Sequence, residues 1–343
     1  MIGSWSGAGP HRPLFSVVLP TYNRVDIVME AVQSVLAQSF TDFELIVVDD
    51  LSTDSTAARI ARVTDPRVWL VTNQGRKGGA GARNYGTSVA RGTWICQIDS
   101  DDLWDEHMLE HLAAGVLRAA PTVGVVYGSD HTIDIDTGAV RRRRVAELSG
   151  WAFPKMLERH FYHHCAAAIR RDALLSVGGY DEELHGMEDT DLQHRLTESW
   201  EVLAVPEAIY YYRLGRSDQV TRDYGARAVK MQRFLRKHDA QLRTMPRSMV
   251  KIAAVVMVTC VKGGRWADAA RLWGRVLRYG PSAPRLVLVA HMQVAVVLRD
   301  RVRRSLARGR PASQPTSERS AVGRAGGTRG APARTHERSA EPT

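Results

Sequence analysis

Thr93-Trp94-Ile95-Cys96-Gln97-Ile98-Asp99-Ser100-Asp101-Asp102-Leu103-Trp104 decides the fold class of this chain. Its first half, with Trp94, Ile95 and Ile98 among β-favouring neighbours, reads as a short buried strand. Its second half places three carboxylates in four positions, Asp99, Asp101 and Asp102. A buried strand that ends in acids puts charge at the C-terminal edge of an α/β sheet, where such sheets bind ligands. Like charges this close repel unless a cation lies among them. Carboxylate oxygens suit Mg²⁺ or Mn²⁺, ions that bridge to substrate phosphates. The same residues also read as a solvated Asp-rich turn capping a helix that begins near Asp105.

The preceding sequence has the texture of alternating strands and helices. Phe15–Leu19 reads as a first strand, broken by Pro20-Thr21-Tyr22-Asn23-Arg24. A helix follows, with Ile27, Val28, Ala31, Val32, Val35 and Leu36 at helical spacing. Phe43–Val48 is a second apolar strand, ending in Asp49-Asp50, and Val68–Val71 a third. Gly75–Gly81 is a glycine- and base-rich loop that enters a helix through Ala82-Arg83-Asn84. This order means an α/β fold with a mostly parallel sheet and flanking helices. A dinucleotide-binding domain fails on its own terms, because the first strand leads into PTYNR and not into G-x-G-x-x-G; no P-loop G-K-[ST] is present either.

Downstream, a helix is expected from about Glu106 to Ala119, and strands over Val123–Tyr127, His131–Ile135 and Cys165–Ile169. A short helix from Arg171 ends at Gly178-Gly179, and a longer one opens at Gly186-Met187-Glu188-Asp189 and runs through Ser199. The run Arg141–Arg144 reads as a solvated basic face. His160, His163 and His164 have a spacing that could hold a metal on a helix, but their neighbourhood reads as a loop entering a strand, with no fourth ligand in sight.

The totals fit a chain of 343 residues with more than one unit. Three scattered cysteines, Cys96, Cys165 and Cys260, argue against a disulfide framework or zinc site and fit a reducing cytosol. The segment Met1–Pro13 lacks the apolar core of a signal peptide. Residues 241–343 hold 20 Lys and Arg against 5 Asp and Glu, a net +15, while residues 1–240 carry a net −5, so the overall +10 belongs to the C-terminal third. That asymmetry points to an anionic partner for one part of the chain and chemistry in the other.

PTYNR, FELIVVDDLSTDST, GARNYGTSVARG, IDSDD, VGGYDEEL and GMEDTDLQHRL, in this order between about Phe15 and Arg222, resemble the inverting glycosyltransferases of family 2 and their Rossmann-like GT-A fold. The resemblance implies roles position by position. Tyr22, within Pro20-Thr21-Tyr22-Asn23, would stack on the nucleobase; Asp50 would hydrogen-bond the base or ribose; Arg83 would lie near the nucleotide. Asp99-Ser100-Asp101 matches the family's D-x-D, with Asp99 facing ribose or metal, Asp101 binding Mn²⁺ or Mg²⁺, and Asp102 as a further carboxylate. Asp189 would be the general base, with Glu188 as runner-up. The chemistry agrees: a diphosphate leaving group needs its charge neutralised, and an acceptor hydroxyl must lose a proton to a carboxylate on the opposite side. One departure stands out. Where many relatives carry Tyr-Arg-x-His, this chain has Tyr212-Arg213-Leu214-Gly215-Arg216-Ser217, so Arg213 or Arg216 would meet the diphosphate in place of a histidine.

The expected organisation is a flexible N-terminus over 1–13, a GT-A domain over 14–222, a helical region over 223–306 and a disordered basic tail over 307–343. Ile252–Val261 and Leu286–Leu298 are apolar but shorter than the ~20 residues a membrane-spanning helix needs. Leu286 to Arg304, apolar and then basic, is expected either to lie on a membrane surface or to pack on the catalytic unit. The expected partners are therefore a nucleoside diphosphate sugar donor, a glycan or lipid-linked acceptor, and peripheral membrane contact through the C-terminal region. The expected location is the cytoplasm, extending to the inner face of the membrane. The tail has almost no aromatics to stack on bases, so nucleic acid is not expected. The alternative from another class is a non-catalytic nucleotide-sugar-binding subunit of a glycan-assembly complex, against which Asp101 and Asp189 both speak.

Overall fold

The computed structural model describes residues 11–144, 146–153, 155–158, 161–184, 186–214 and 223–308. The first half is built as β1 (Phe15–Thr21), α1 (Val28–Leu36), β2 (Phe43–Asp49), α2 (Thr56–Ile60), β3 (Val68–Thr72), α3 (Gly79–Val89) and β4 (Trp94–Gln97). Then come β5 (Leu103–Trp104), α4 (Met108–Arg118), β6 (Val123–Asp134), β7 (Val140–Arg144), α5 (Lys155–Glu158), β8 (Ala167–Arg170), α6 (Arg171–Ser176), α7 (Glu188–Ser199) and β9 (Glu201–Leu214). The chain continues as α8 (Tyr224–Lys237), α9 (Asp239–Arg243), α10 (Pro246–Lys262), α11 (Trp266–Tyr279) and α12 (Pro284–Arg308).

Among the described residues the strands form one sheet in the order β3-β2-β1-β4-β8-β6-β9-β5, with β7 paired to β6. β1 to β4 are mutually parallel, β8 runs antiparallel between β4 and β6, and β6 and β9 are parallel again. The parallel strands are nearly unbroken apolar runs because helices cover both faces. Along β1, Phe15, Val17 and Leu19 enter one core and Val18 the other, alongside Ile46, Val48 and Ile95. Chain order reverses between β1 and β4, so their C-terminal ends open a crevice at a topological switch point.

Three differences from the sequence expectation have physical causes. Pro20 lies inside β1, opposite Val48, and does not end it. The β4 ladder stops at Val18, so on that side Pro20 is past the strand pairing that a missing N–H would break. His131–Ile135 is not a separate strand, since residues 123–134 form one. β9 escapes a sequence reading because Pro206 interrupts it. The register jumps there, with Tyr127 opposite Ala204 but Ser129 opposite Ile209, and the Pro206 carbonyl accepts from Ser129 Oγ at 2.8 Å. Gly128 makes this bulge fit, since a Cβ there would stand 2.2 Å from the Ala208 carbonyl oxygen.

By its contacts the chain falls into two units, 1–298 and 299–343, and of the second only the helical residues 299–308 are described. Within the first unit, α8, α10 and α11 form a separate core of Met231, Phe234, Val250, Val256, Cys260, Leu272 and Val276. Met187, just before α7, packs on it. The link is reinforced at Asp191, fully buried on α7, which accepts from His238 Nε2 at 2.7 Å, Lys237 Nζ at 3.0 Å and Arg195 Nε at 2.8 Å.

Candidate active site

The site lies at the C-terminal ends of β1, β2 and β4. In the loop after β1, Tyr22 is exposed with Lys77 Nζ 4.3 Å from its ring centre. Asn23 has a left-handed φ of 50°, tolerable for Asn, and ties two loops together: its N–H donates to Ser52 Oγ at 3.0 Å and its Oδ1 accepts from Thr53 N at 2.8 Å. Asp50 is buried; its oxygens accept from Asn73 Nδ2 at 2.6 Å and Gly78 N at 2.8 Å, which fixes the glycine-rich loop before α3. A Cβ on Gly81 would come within 1.8 Å of the Arg76 carbonyl oxygen, so glycine is required where that loop turns into the helix.

After β4 the three carboxylates divide. Asp99 Oδ1 accepts from Arg83 Nη2 at 2.6 Å and has His164 Nε2 at 3.8 Å. Burial would raise Asp99, but the Arg83 charge and the His164 contact hold it well below the usual carboxylate range. Ser100 is buried between them in sequence. Asp101 keeps about a third of its side chain in solvent, 29%, with Arg24 Nη2 at 3.8 Å. Asp102 is almost fully buried and is turned to β9, where one oxygen accepts from Tyr210 Oη and the other from Arg213 N at 2.9 Å. Burial, then the charges of Asp99 and Asp101, push its carboxyl well above the usual range.

Across the crevice, α7 begins with Glu188 and Asp189. Glu188 is buried; it accepts from Gly186 N and sits 3.4 Å from Arg83 Nη1. Asp189 is more open, its Oδ1 accepts from Thr190 N at 2.7 Å, and its Oδ2 lies 3.7 Å from His164 Nδ1. Arg83 thus joins the D-x-D side to α7 through Glu188, and His164 joins it through Asp189. Burial disfavours the Arg83 charge, but the surrounding anions raise its pKa and keep it charged.

Sequence reasoning assigned no role to His164, Tyr210 or Arg24. His163-His164 was visible as a pair, yet its value lies in sitting between β4 and α7, a long-range fact. His160 and Arg216 lie outside the described residues. Arg213 points its guanidinium to Glu30 of α1 at 2.6 Å. His163, His164 and Cys165 bring donor atoms within 4.8 Å of one another. Burial raises the Cys165 thiol well above its ordinary value and holds His163 down to about 3, and His163 Nδ1 already accepts from Cys165 N at 3.3 Å. A neutral thiol and an occupied ring nitrogen suit a packed core rather than a metal.

Oxygen donors at Asp101 and Asp99, on the rim of a crevice, fit Mg²⁺ or Mn²⁺. Buried polar atoms without a hydrogen-bond partner gather at the same edge, among them Thr21 Oγ1, Arg83 Nε and His164 Nδ1, as expected where a polar ligand binds.

Residues 16–178 match the family model described as "Glycosyl transferase family 2". This segment, just under half of the chain, is similar to glycosyltransferase family 2. It is 36% identical over 121 residues to the Escherichia coli UDP-Glc:alpha-D-GlcNAc-diphosphoundecaprenol beta-1,3-glucosyltransferase WfgD, covering 35% of this chain and 47% of that protein. It is 35% identical over 139 residues to the succinoglycan biosynthesis protein ExoO of Rhizobium meliloti, covering 40% and 39%. The match thus spans half or less of these curated relatives. Among solved structures, the mannosyltransferase PcManGT from Pyrobaculum calidifontis, in complex with GDP-Man and Mn²⁺, superposes with a TM-score of 0.52 at 21% identity, over 84% of this chain and 87% of that one. S. aureus TarS 1–349 in complex with UDP-GlcNAc gives 0.52 at 18% identity, over 78% and 73%. The chain therefore has the GT-A fold.

Proposed function

We propose that this protein is an inverting glycosyltransferase that moves a sugar from a nucleoside diphosphate sugar to a hydroxyl of a cell-envelope glycan or lipid-linked acceptor. One observation carries the reading: part-exposed carboxylates stand on two separate elements, Asp101 in the D-x-D after β4 and Asp189 on α7, and His164 lies within 4 Å of both Asp99 of that D-x-D and Asp189. Separate acidic sites suit the separate jobs of donor activation and proton removal.

In this reading Tyr22 stacks on the base, Pro20, Thr21 and Asn23 shape its pocket, and Asp50 orients the base or ribose. Asp101, with Asp99, would hold Mg²⁺ or Mn²⁺, which when bound neutralises charge on the diphosphate leaving group. Asp102 anchors that segment to Tyr210 and Arg213. Asp189 accepts the proton of the acceptor hydroxyl; the new C–O bond forms at the anomeric carbon from the face opposite the departing diphosphate, which inverts it. Glu188, paired with Arg83, positions α7. The similarity to a glucosyltransferase named for a diphosphoundecaprenol-linked acceptor and to a succinoglycan biosynthesis protein supports the acceptor class. No described helix is long and apolar enough to cross a membrane. In our reading the protein works in the cytoplasm, with α12 resting on the inner membrane face.

The test is a panel of nucleoside diphosphate sugars, each assayed with Mn²⁺ by thermal shift and by release of nucleoside diphosphate. At least one sugar nucleotide should both stabilise the protein and turn over. Stabilisation without turnover on any acceptor would favour the binding-subunit reading.

A further inference from the structure

The arginine run is not a uniformly solvated face. In a regular strand Arg143 and Arg144 would point to opposite sides. Here β7 carries a bulge: Arg144 is opposite Asp130 and Arg142 opposite His131, which leaves Arg143 as the extra residue. Bulges re-aim side chains, frequently beside active sites. The result is that both arginines converge on one carboxylate, Arg143 Nη1 at 3.3 Å and Arg144 Nε at 3.7 Å from the two oxygens of Asp130. Asp130 is fully buried, and neither oxygen has a hydrogen-bond partner. Two guanidinium groups share one loosely held carboxylate, so positive charge is in excess. Arg143 keeps 37% of its side chain in solvent.

A relay of rings connects the pair to the proposed base. The Arg143 guanidinium carbon is 5.1 Å from the centre of the Tyr212 ring, and the His163 ring is 6.1 Å from that same ring. His163 stacks on His164 at 4.7 Å, and His164 Nδ1 is the atom 3.7 Å from Asp189. Arg144 Nη1 donates to the Tyr162 carbonyl at 3.1 Å, one residue before His163. The Asp189 charge is felt at Arg144, whose pKa burial nevertheless lowers.

We propose that Arg143 and Arg144 form an anion subsite on the acceptor side, where they take a phosphate-ester group carried by the acceptor. This rests on the transferase reading, in which the acceptor hydroxyl comes to Asp189. Guanidinium forks match phosphate oxygens and bind them in charge-assisted pairs. The donor diphosphate is served elsewhere, at the Asp101 edge. The subsite would select acceptors linked through phosphate over neutral glycans.

The first experiment measures binding of decyl diphosphate by calorimetry, in chelator so that no divalent ion draws the probe to Asp101. Wild type should bind. Arg143→Gln should weaken binding about tenfold or more, Arg143→Lys should recover part of it, and Arg142→Gln, which removes the same charge outside the bulge, should change it by less than about threefold. Equal weakening by Arg142→Gln and Arg143→Gln, or no binding to wild type, overturns the subsite. The second experiment compares kcat/KM for sugars offered as methyl glycosides and as decyl diphosphates. Wild type should prefer the diphosphate, and Arg143→Gln should erase the preference through KM. A preference unchanged in Arg143→Gln also overturns the subsite. Absence of transfer to every acceptor would instead bring down the transferase reading, and the binding result then still decides the subsite.

Discussion

His164 Nδ1 stands 3.7 Å from Asp189 Oδ2 while its Nε2 stands 3.8 Å from Asp99 Oδ1, so one imidazole spans the crevice between the two acidic sites. Asp189 is therefore linked through one ring to the D-x-D side of the site. Glu188 is committed to Arg83 and to the Gly186 N–H. Asp189→Asn should lower kcat by about 10²–10⁴-fold, the usual worth of a positioned base, with donor affinity within about threefold of wild type. Glu188→Gln should instead lower thermal stability and donor affinity together, because Arg83 loses one of its two carboxylate partners and keeps only Asp99. A stopped assay of kcat paired with donor titration separates them. A kcat for Asp189→Asn near wild type would remove it as the base.

Asp101 and Asp102 are adjacent but not equivalent. Asp102 is buried with both oxygens engaged, and Asp101 is the more open of the two. Asp101→Ala should abolish transfer while leaving the melting temperature within a few degrees. Asp102→Ala should unfold the protein at markedly lower temperature, since Tyr210 Oη and Arg213 N would lose a buried acceptor, a loss worth about 1–3 kcal/mol per group. Chelator should silence the wild type and Mn²⁺ or Mg²⁺ restore it. Full activity in excess chelator would exclude the metal-dependent scheme.

The joint between α7 and α8 is testable by pH. Burial acts against Asp191, but His238, Arg195 and Lys237 outweigh it and hold its carboxyl at about 2. A carboxylate depressed in the folded state contributes stability that is complete above its unfolded pKa of about 3.9 and is lost as pH falls through the folded value. Denaturant melts should therefore show stability falling between about pH 4 and pH 2. Asp191→Ala should lower stability at pH 7 by about 1–3 kcal/mol for each buried donor left without its acceptor, chiefly His238 Nε2 and Arg195 Nε. A melt of the variant that matches wild type would discount the joint.

The alternating strands and helices up to β4 were legible because each strand is a compact apolar run buried on both faces. Pro20-Thr21-Tyr22-Asn23, Asp50, Arg83 and Asp99 to Asp102 were legible as motifs, since the edge of a parallel sheet collects the residues that follow its strands. What the sequence hid was long-range. β9 is masked by Pro206, whose tolerance depends on Gly128 in another strand. The burial of Asp102 depends on Tyr210, over a hundred residues later, and the convergence of Arg143 and Arg144 depends on a bulge that no periodicity announces.

α12 is divided between packing and solvent. Val287, Val294 and Val297 pack against the helical core, and the His291 ring sits 4.2 Å from the ring of Trp273. Packing therefore accounts for one side of the helix. Leu288, Val289, Met292 and Val296 are exposed, and 288, 292 and 296 recur every four residues, so they form a stripe. The sequence that follows is rich in arginine, with Arg299, Arg301, Arg303 and Arg304. An apolar stripe can enter the headgroup boundary while basic residues meet anionic lipid, each worth about 1 kcal/mol near such a surface. Full-length protein should co-sediment with phosphatidylglycerol vesicles, fail to do so with phosphatidylcholine, and release as salt is raised. Leu288→Glu combined with Met292→Glu should reduce sedimentation about tenfold and leave the melting temperature unchanged, because both side chains already face solvent. Sedimentation that depends on salt but not on these two residues would assign the contact to charge alone, and none with either lipid would leave α12 as a helix packed on the bundle.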